Sequence, residues 1–238
     1  MDKNEFSLEI KDKMEKIDIT LEDESIEKFY KYMNLLLEWN EKINLTAITE
    51  AKDVILKHFV DSATILKYIN DDDTIIDVGT GAGFPGIPLN ILNSKSKYVL
   101  LDSLNKRINY LNLVINDLKL NNIETVHSRV EDFAKKNREC FDIATSRAVA
   151  PLNILLEYLM PLVKIGGICI CMKGSNAEEE INNSKKALEI LGGRIEKIEE
   201  INLPESDYTR NIIIVKKIKE TPNKYPRKAG MASKEPIL

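Results

Sequence analysis

Apolar residues along this chain follow two different periods, and the change falls at Asp71, Asp72 and Asp73. Before that run, Ile26, Phe29, Tyr30, Met33, Leu36 and Leu37 recur at helical spacing and close with Trp39. A second amphipathic stretch covers about 54–69, while residues 1–20 are polar and weakly periodic. This spacing predicts a helical N-terminal layer. From Thr74 onward, short apolar runs alternate with helical stretches. Strands are expected over 74–78, 98–101, 123–127, 141–145, 167–172, 194–201 and 211–217. Helices are expected from Ile87, along the face Leu104, Ile108, Leu111, Ile115 and Leu118, and over 151–160 and 177–191. Pro151 suits a first helical turn, where its missing N–H costs nothing.

Alternating strands and helices imply an α/β fold with a mostly parallel sheet and a ligand at the carboxyl ends of its strands. Only residues 202–210 join the last two strands, too few for a helical crossover, so an antiparallel final strand is expected. The chain divides into an N-terminal helical extension (1–70), a nucleotide-binding α/β core (71–220) and a basic C-terminal tail (221–238).

The junction after the first strand carries the chemistry. Glycines stand at 79, 81, 83 and 86, where the backbone can approach a ligand closely and a following helix turns free N–H groups toward it. Gly81-x-Gly83-x-x-Gly86 formally fits the dinucleotide fingerprint, which leaves an NAD-type oxidoreductase open. That fingerprint begins directly after its strand, however, and here that position is Gly79. Asp77 followed by Gly79-Thr80-Gly81-Ala82-Gly83 is the pattern of enzymes that bind S-adenosylmethionine (SAM). The second strand ends at Asp102, where a carboxylate can accept hydrogen bonds from ribose hydroxyls.

Other candidates sit at strand ends. Val130 and Glu131 follow the third strand, where a backbone N–H can read adenine; Glu131 is equally an acid in a helix first turn. Arg147 follows the fourth strand, as a ligand contact or a structural ion-pair partner. Phe84 can cover an adenosine or methionine face, or simply anchor its loop. Lys173 is a further candidate for an anionic substrate. His58 and Asp61, three apart, share a helix face as a packing pair or an RNA contact. No nucleophile–base pair stands out, and no catalytic residue is assigned.

Composition narrows the classes. At 238 residues the chain can bury a sizeable core. No apolar run reaches the length of a membrane span and the N-terminus is not signal-like, so a cytoplasmic protein is expected. Three cysteines make no disulfide framework, and Cys169 and Cys171 read as small buried hydrophobes rather than metal ligands. The net charge is −4, yet residues 216–238 carry seven Lys or Arg against two acids. That tail is either a phosphate-contacting arm or a solvated terminus.

Taken together the chain resembles the bacterial small-subunit ribosomal RNA guanine-N7 methyltransferases, the glucose-inhibited division protein B family. The matching features span nearly its whole length: Trp39-Asn40 with Ile43-Asn44-Leu45-Thr46, His58 to Ser62, Asp77 to Gly86, Asp102 to Arg107, Ser146-Arg147-Ala148, and Arg227 to Gly230. The resemblance implies a Rossmann-like class I SAM-dependent methyltransferase with an N-terminal helical extension. It implies methyl transfer to N7 of one guanine in the 530 loop of 16S rRNA, with rRNA or the small ribosomal subunit as partner; no metal is expected, and the sequence leaves open whether the enzyme is monomeric. The SAM contacts it carries over are Gly79, Phe84, Val130, Glu131 and Arg147, beside Gly81 and Asp102 from the loop and strand pattern. Where the family continues its C-terminal motif with proline and a basic residue, this chain has Met231 and Ala232, and further on Glu235. Residues 221–238 and the N-terminal helices are expected to frame the RNA side of the pocket, so that deleting the tail weakens methylation and spares SAM affinity. A different acceptor, or a SAM-binding assembly factor without turnover, are the alternatives.

Overall fold

The computed structural model describes residues 1–238. Helix α1 (Lys3–Glu15) starts where Asp2 Oδ1 accepts the amides of Asn4 and Glu5, at 2.8 and 2.9 Å. It buries Phe6, Ile10 and Met14. The weak periodicity of residues 1–20 did not announce this helix, because charged neighbours dilute three apolar positions spaced four apart. Helix α2 (Asp23–Ile43) ends at Asn44, whose φ of +49° lies in the left-handed region. Asn40 Oδ1 then accepts the amides of Leu45 and Thr46 and fixes the exit of the chain.

The second amphipathic stretch is one wound segment with a wider centre. Helix α3 (Ala51–Val54) passes through a π-helical turn (Ile55–Val60) into α4 (Asp61–Ala63), and a 3-10 turn (Leu66–Tyr68) follows. Such wide turns gather at functional sites.

Seven strands form one sheet: β1 (Thr74–Val78), β2 (Lys97–Asp102), β3 (Ile123–His127), β4 (Phe141–Arg147), β5 (Val163–Lys173), β6 (Gly193–Asn202) and β7 (Thr209–Lys217). Their order is β3-β2-β1-β4-β5-β7-β6. Pairing is parallel from β3 through β5, and β7 runs antiparallel to both β5 and β6. The α/β class and the antiparallel final strand therefore hold. The strand order reverses between β1 and β4, which opens a crevice at their carboxyl ends.

The remaining helices are α5 (Gly86–Leu92), α6 (Asn105–Asp117), α7 (Val130–Lys136), α8 (Leu152–Leu159), α9 (Ala177–Asn182), α10 (Lys185–Leu191) and α11 (Met231–Lys234). The single helix expected over 177–191 is interrupted between Asn182 and Lys185. Leu104, expected on the buried face of α6, is exposed at its N-cap; Tyr110 and Val114 are buried instead.

Alternation along the strands separates two cores. Leu100 joins a cluster with Phe6, Phe29, Tyr32, Phe59, Phe84 and Tyr110, so the N-terminal helices share one core with α5 and α6. Leu101 points to the opposite cluster, with α8, α10, Cys169 and Cys171. Tyr225 and Ile237 belong to that second cluster. The basic tail is thus not a solvated arm; it lies against α7 and α8.

Candidate functional site

The glycine loop is held from below by one carboxylate. Asp77 Oδ2 accepts the Thr80 hydroxyl at 2.6 Å and the Gly86 amide at 2.9 Å, tying the start of the loop to its end. Full burial pushes the Asp77 carboxyl up to about 6 despite these bonds, and its Oδ1 has no partner. Gly79 follows β1 with φ of +70°, and a Cβ there would lie 2.6 Å from Val149 Cγ2. Glycine at 79 is required by both conformation and space.

Beside this loop lies a cleft of about 200 Å³ lined by Gly79, Asp102, Ser103, Ser128 to Glu131, Val149 and Tyr158. Asp102 closes β2, and its Oδ2 accepts the Gly81 amide at 3.0 Å and Arg107 Nη1 at 3.2 Å. Its Oδ1 accepts only the Leu104 amide, at 2.9 Å, which leaves acceptor capacity facing the cleft. Gly79, Asp102, Val130 and Glu131 are therefore brought together, with Gly81 bonded to Asp102.

A second cleft, about 670 Å³, continues on the far side of Val149. It is lined by Lys57, His58, Arg147, Ala148 to Pro151, Lys173 and Arg210, among others. Ala148 adopts φ of +57°, a left-handed turn that projects the 40 % exposed Val149 between the two clefts. Lys173 Nζ donates to Ala150 O at 2.7 Å and pairs with Glu180 at 2.6 Å.

Arg147 ends β4 as a structural ion-pair partner that also faces a cleft. It lines the second cleft, and its Nη1 donates to Asp61 Oδ2 at 2.6 Å and to Lys57 O at 2.9 Å. Nη2 bonds His58 Nδ1 at 3.1 Å. Burial first, and the adjacent Arg147 second, lower the His58 imidazole from 6.5 to about 3, so it is neutral at physiological pH. With Nδ1 accepting from Arg147, Nε2–H donates to Thr46 Oγ1 at 2.9 Å. The motifs at residues 39–46 and 58–62 thus form one support: Asn40 fixes Thr46, Thr46 meets His58, and His58 with Asp61 holds Arg147. They are neither a mere helix-packing pair nor exposed on an outer face.

Phe84 does not line either cleft. Its ring is 5 % exposed, stacks on His58 at 4.4 Å, and has Arg147 at 5.1 Å. It anchors the glycine loop to the N-terminal layer, as does Tyr32, whose hydroxyl donates to Ala82 O at 2.6 Å.

Sequence reasoning missed Val149, Tyr158 and Arg210. For Arg210 a signal existed: an antiparallel β7 brings its first residues to the edge where the parallel strands end. Its Nε donates to Asp61 Oδ1 at 2.8 Å. Val149 and Tyr158 had no sequence signal, since each looks like an ordinary core residue. His127, without an obvious partner in sequence, lies 3.1 Å from Ser103 O. No group of three His, Cys, Asp or Glu is arranged to hold a metal, and no helix is long and apolar enough to cross a membrane.

The family described as rRNA small subunit methyltransferase G matches residues 25–212. The ribosomal RNA small subunit methyltransferase G of Acetivibrio thermocellus is 55 % identical over 222 residues, 92 % of this chain and 91 % of that protein. Its counterpart in Clostridium tetani is 50 % identical over 225 residues, 93 % and 94 % of the two chains. Among solved structures, a SAM-dependent methyltransferase from Aquifex aeolicus superposes with a TM-score of 0.52 at 21 % identity, covering 68 % of this chain and 92 % of that one. TYW2 of M. jannaschii in complex with AdoMet gives 0.54 at 16 % identity, covering 65 % and 72 %. These two likenesses concern the fold.

Proposed function

We propose that this chain, which belongs to the rRNA small subunit methyltransferase G family, methylates N7 of a single guanine in the 530 loop of 16S rRNA. It is a SAM-dependent rRNA methyltransferase. The observation that carries the reading is the pair of clefts meeting at Val149, one lined by Gly79 and Asp102 and the other by Arg147, Lys173 and Arg210.

The first cleft fits the cofactor. Gly79 leaves the space a side chain would fill, and Asp102 Oδ1 keeps acceptor capacity for ribose hydroxyls. Val130 and Glu131 present first-turn amides, which a helix leaves without intrahelical acceptors, to the adenine edge. Gly81 holds Asp102 in place, Phe84 shapes the loop from behind, and Arg147 stands at the boundary with the second cleft. SAM supplies a methyl group bound to a positively charged sulfur.

The second cleft suits a nucleotide of an anionic polymer, because Lys57, Arg147, Lys173 and Arg210 surround it against the single carboxylate of Glu180. Guanine N7 carries a lone pair and no proton, so its methylation needs no general base. The lining holds none that is free: His58 is neutral with both nitrogens engaged by Arg147 and Thr46, and Glu180 is bound by Lys173 and the Leu152 amide. The protein's contribution is then alignment across Val149. A base reaching this cleft must be splayed out of its helix, which favours folded rRNA in the small subunit as substrate.

The test uses purified protein, methyl-labelled SAM and small ribosomal subunits from a strain lacking this gene, with N7-sensitive strand cleavage as readout. Label at one guanine of the 530 loop is expected. Label at another position or atom, or none despite calorimetric SAM binding, overturns the acceptor assignment.

A further inference from the structure

Of the two cations in the Arg227 to Gly230 motif, the arginine is already committed. Arg227 grips Glu157 of α8 with Nε at 3.0 and 3.1 Å and Nη2 at 2.6 Å, and its backbone amide adds a bond of 2.9 Å. Glu157 is 1 % exposed, so this forked pair is the fixed point of the tail. Upstream, Arg138 holds Tyr225 O at 2.5 Å and Thr221 O at 2.6 Å. Downstream, Asn153 Nδ2 donates to Ile237 O at 3.3 Å.

Between these anchors the tail touches the first cleft's wall from behind at two places. The Gly230 amide donates to Glu131 Oε1 at 3.0 Å. Ala232, 1 % exposed, packs with Ile154 and Tyr158 in a small cluster that Val130 and Ala150 complete. Glu131, Val130 and Tyr158 all line the first cleft. Gly230 has φ of +81°, a conformation in which a side chain would be strained, and it is this turn that presents the amide.

We propose that residues 225–237 are a strap that positions the adenosine wall of the cofactor cleft, with Gly230 as a positioning residue acting through Glu131 and Ala232 through Val130 and Tyr158. This rests on the cofactor assignment above. It reverses the expectation that the tail serves the RNA side: ordering of the strap and binding of SAM favour each other, and the favour is reciprocal.

Calorimetry on the full chain, on a chain ending at Tyr225, and on Arg227→Ala tests it, alongside hydrogen exchange of the full chain with and without SAM. The truncation is expected to raise the Kd for SAM about tenfold and Arg227→Ala several-fold, within the usual range of coupling between sites. The KM for small subunits at saturating SAM is expected to stay within about twofold, and SAM should slow exchange across 226–237. Unchanged SAM affinity in both variants, unchanged exchange in the intact chain, or a rise confined to the KM for subunits overturns the strap. Should the truncated chain fail to fold, Arg227→Ala and the exchange measurement decide. An intact chain that binds no SAM would instead refute the cofactor assignment itself.

Discussion

Arg147 donates to Asp61 at 2.6 Å although the two residues lie 86 apart in sequence, one ending a core strand and the other in the N-terminal layer. Asp61 is fully buried, and its second oxygen takes Arg210, so one carboxylate fixes two cations that line the second cleft. The N-terminal layer therefore helps build the second cleft.

Removing that carboxylate leaves two part-buried guanidinium groups without their partner. Asp61→Ala is expected to destabilise the fold by about 3 kcal/mol, the usual scale for breaking a buried ion pair. Urea denaturation measures this, and Asp61→Asn should recover part of it. Methylation at saturating SAM should fall at least about tenfold in both variants, because Arg147 and Arg210 lose their orientation. Wild-type activity in either would detach Asp61 from the site.

Gly79→Ala places a methyl group 2.6 Å from Val149 Cγ2 at φ of +70°. The backbone strain alone is about 1–2 kcal/mol, and the overlap pushes Val149 away from its place between the clefts. SAM affinity by calorimetry is expected to fall about tenfold or more, since 1.4 kcal/mol is tenfold in Kd. An unchanged Kd would show that the close approach at Gly79 is not used.

Two buried groups give opposite responses to acid. His58 is lowered from 6.5 to about 3 by burial, so between those values the unfolded chain binds a proton that the folded one refuses, and stability falls as pH drops. Asp77 is raised from 3.8 to about 6, again by burial, so stability gains as pH drops through that window. His58→Phe keeps a ring against Phe84 and removes the first effect. Its urea stability should decline less between pH 6.5 and 4 than that of the natural chain, by a difference on the order of 2 kcal/mol. Parallel pH curves for the two proteins would contradict the assignment.

Tyr32→Phe tests the second link between the layers. It strips the Ala82 carbonyl of its buried donor while keeping the aromatic contacts with Phe59 and Phe84. A loss of about 1–2 kcal/mol in thermal or urea stability is expected, the scale for leaving one buried acceptor unpaired. The SAM Kd should rise only a few-fold, as Asp77 still pins the loop through Thr80 and Gly86.

Most of the sheet was legible because strand alternation and the glycine loop are local signals. The strand Thr74–Val78, Asp102 at the end of β2 and the helix-free link before β7 each follow from residues close together in sequence. Helix α1 escaped because three apolar residues among charged ones give a faint period, and its burial depends on a surface supplied by α2 and the π-helical turn.

Residue order alone determined an α/β core with a glycine loop at its carboxyl edge, since periodicity sets which face of each element is buried and glycines set where the backbone can turn tightly. Direction and partnership were decided by tertiary structure. Phe84 turns inward to His58, and Arg147 is shared between Asp61 and the cleft. Arg227, one of the tail's cations, is committed to Glu157. Each of these depends on a partner dozens of residues away, brought within hydrogen-bonding or stacking distance only when the N-terminal helices, the sheet and the tail close over their two shared apolar cores.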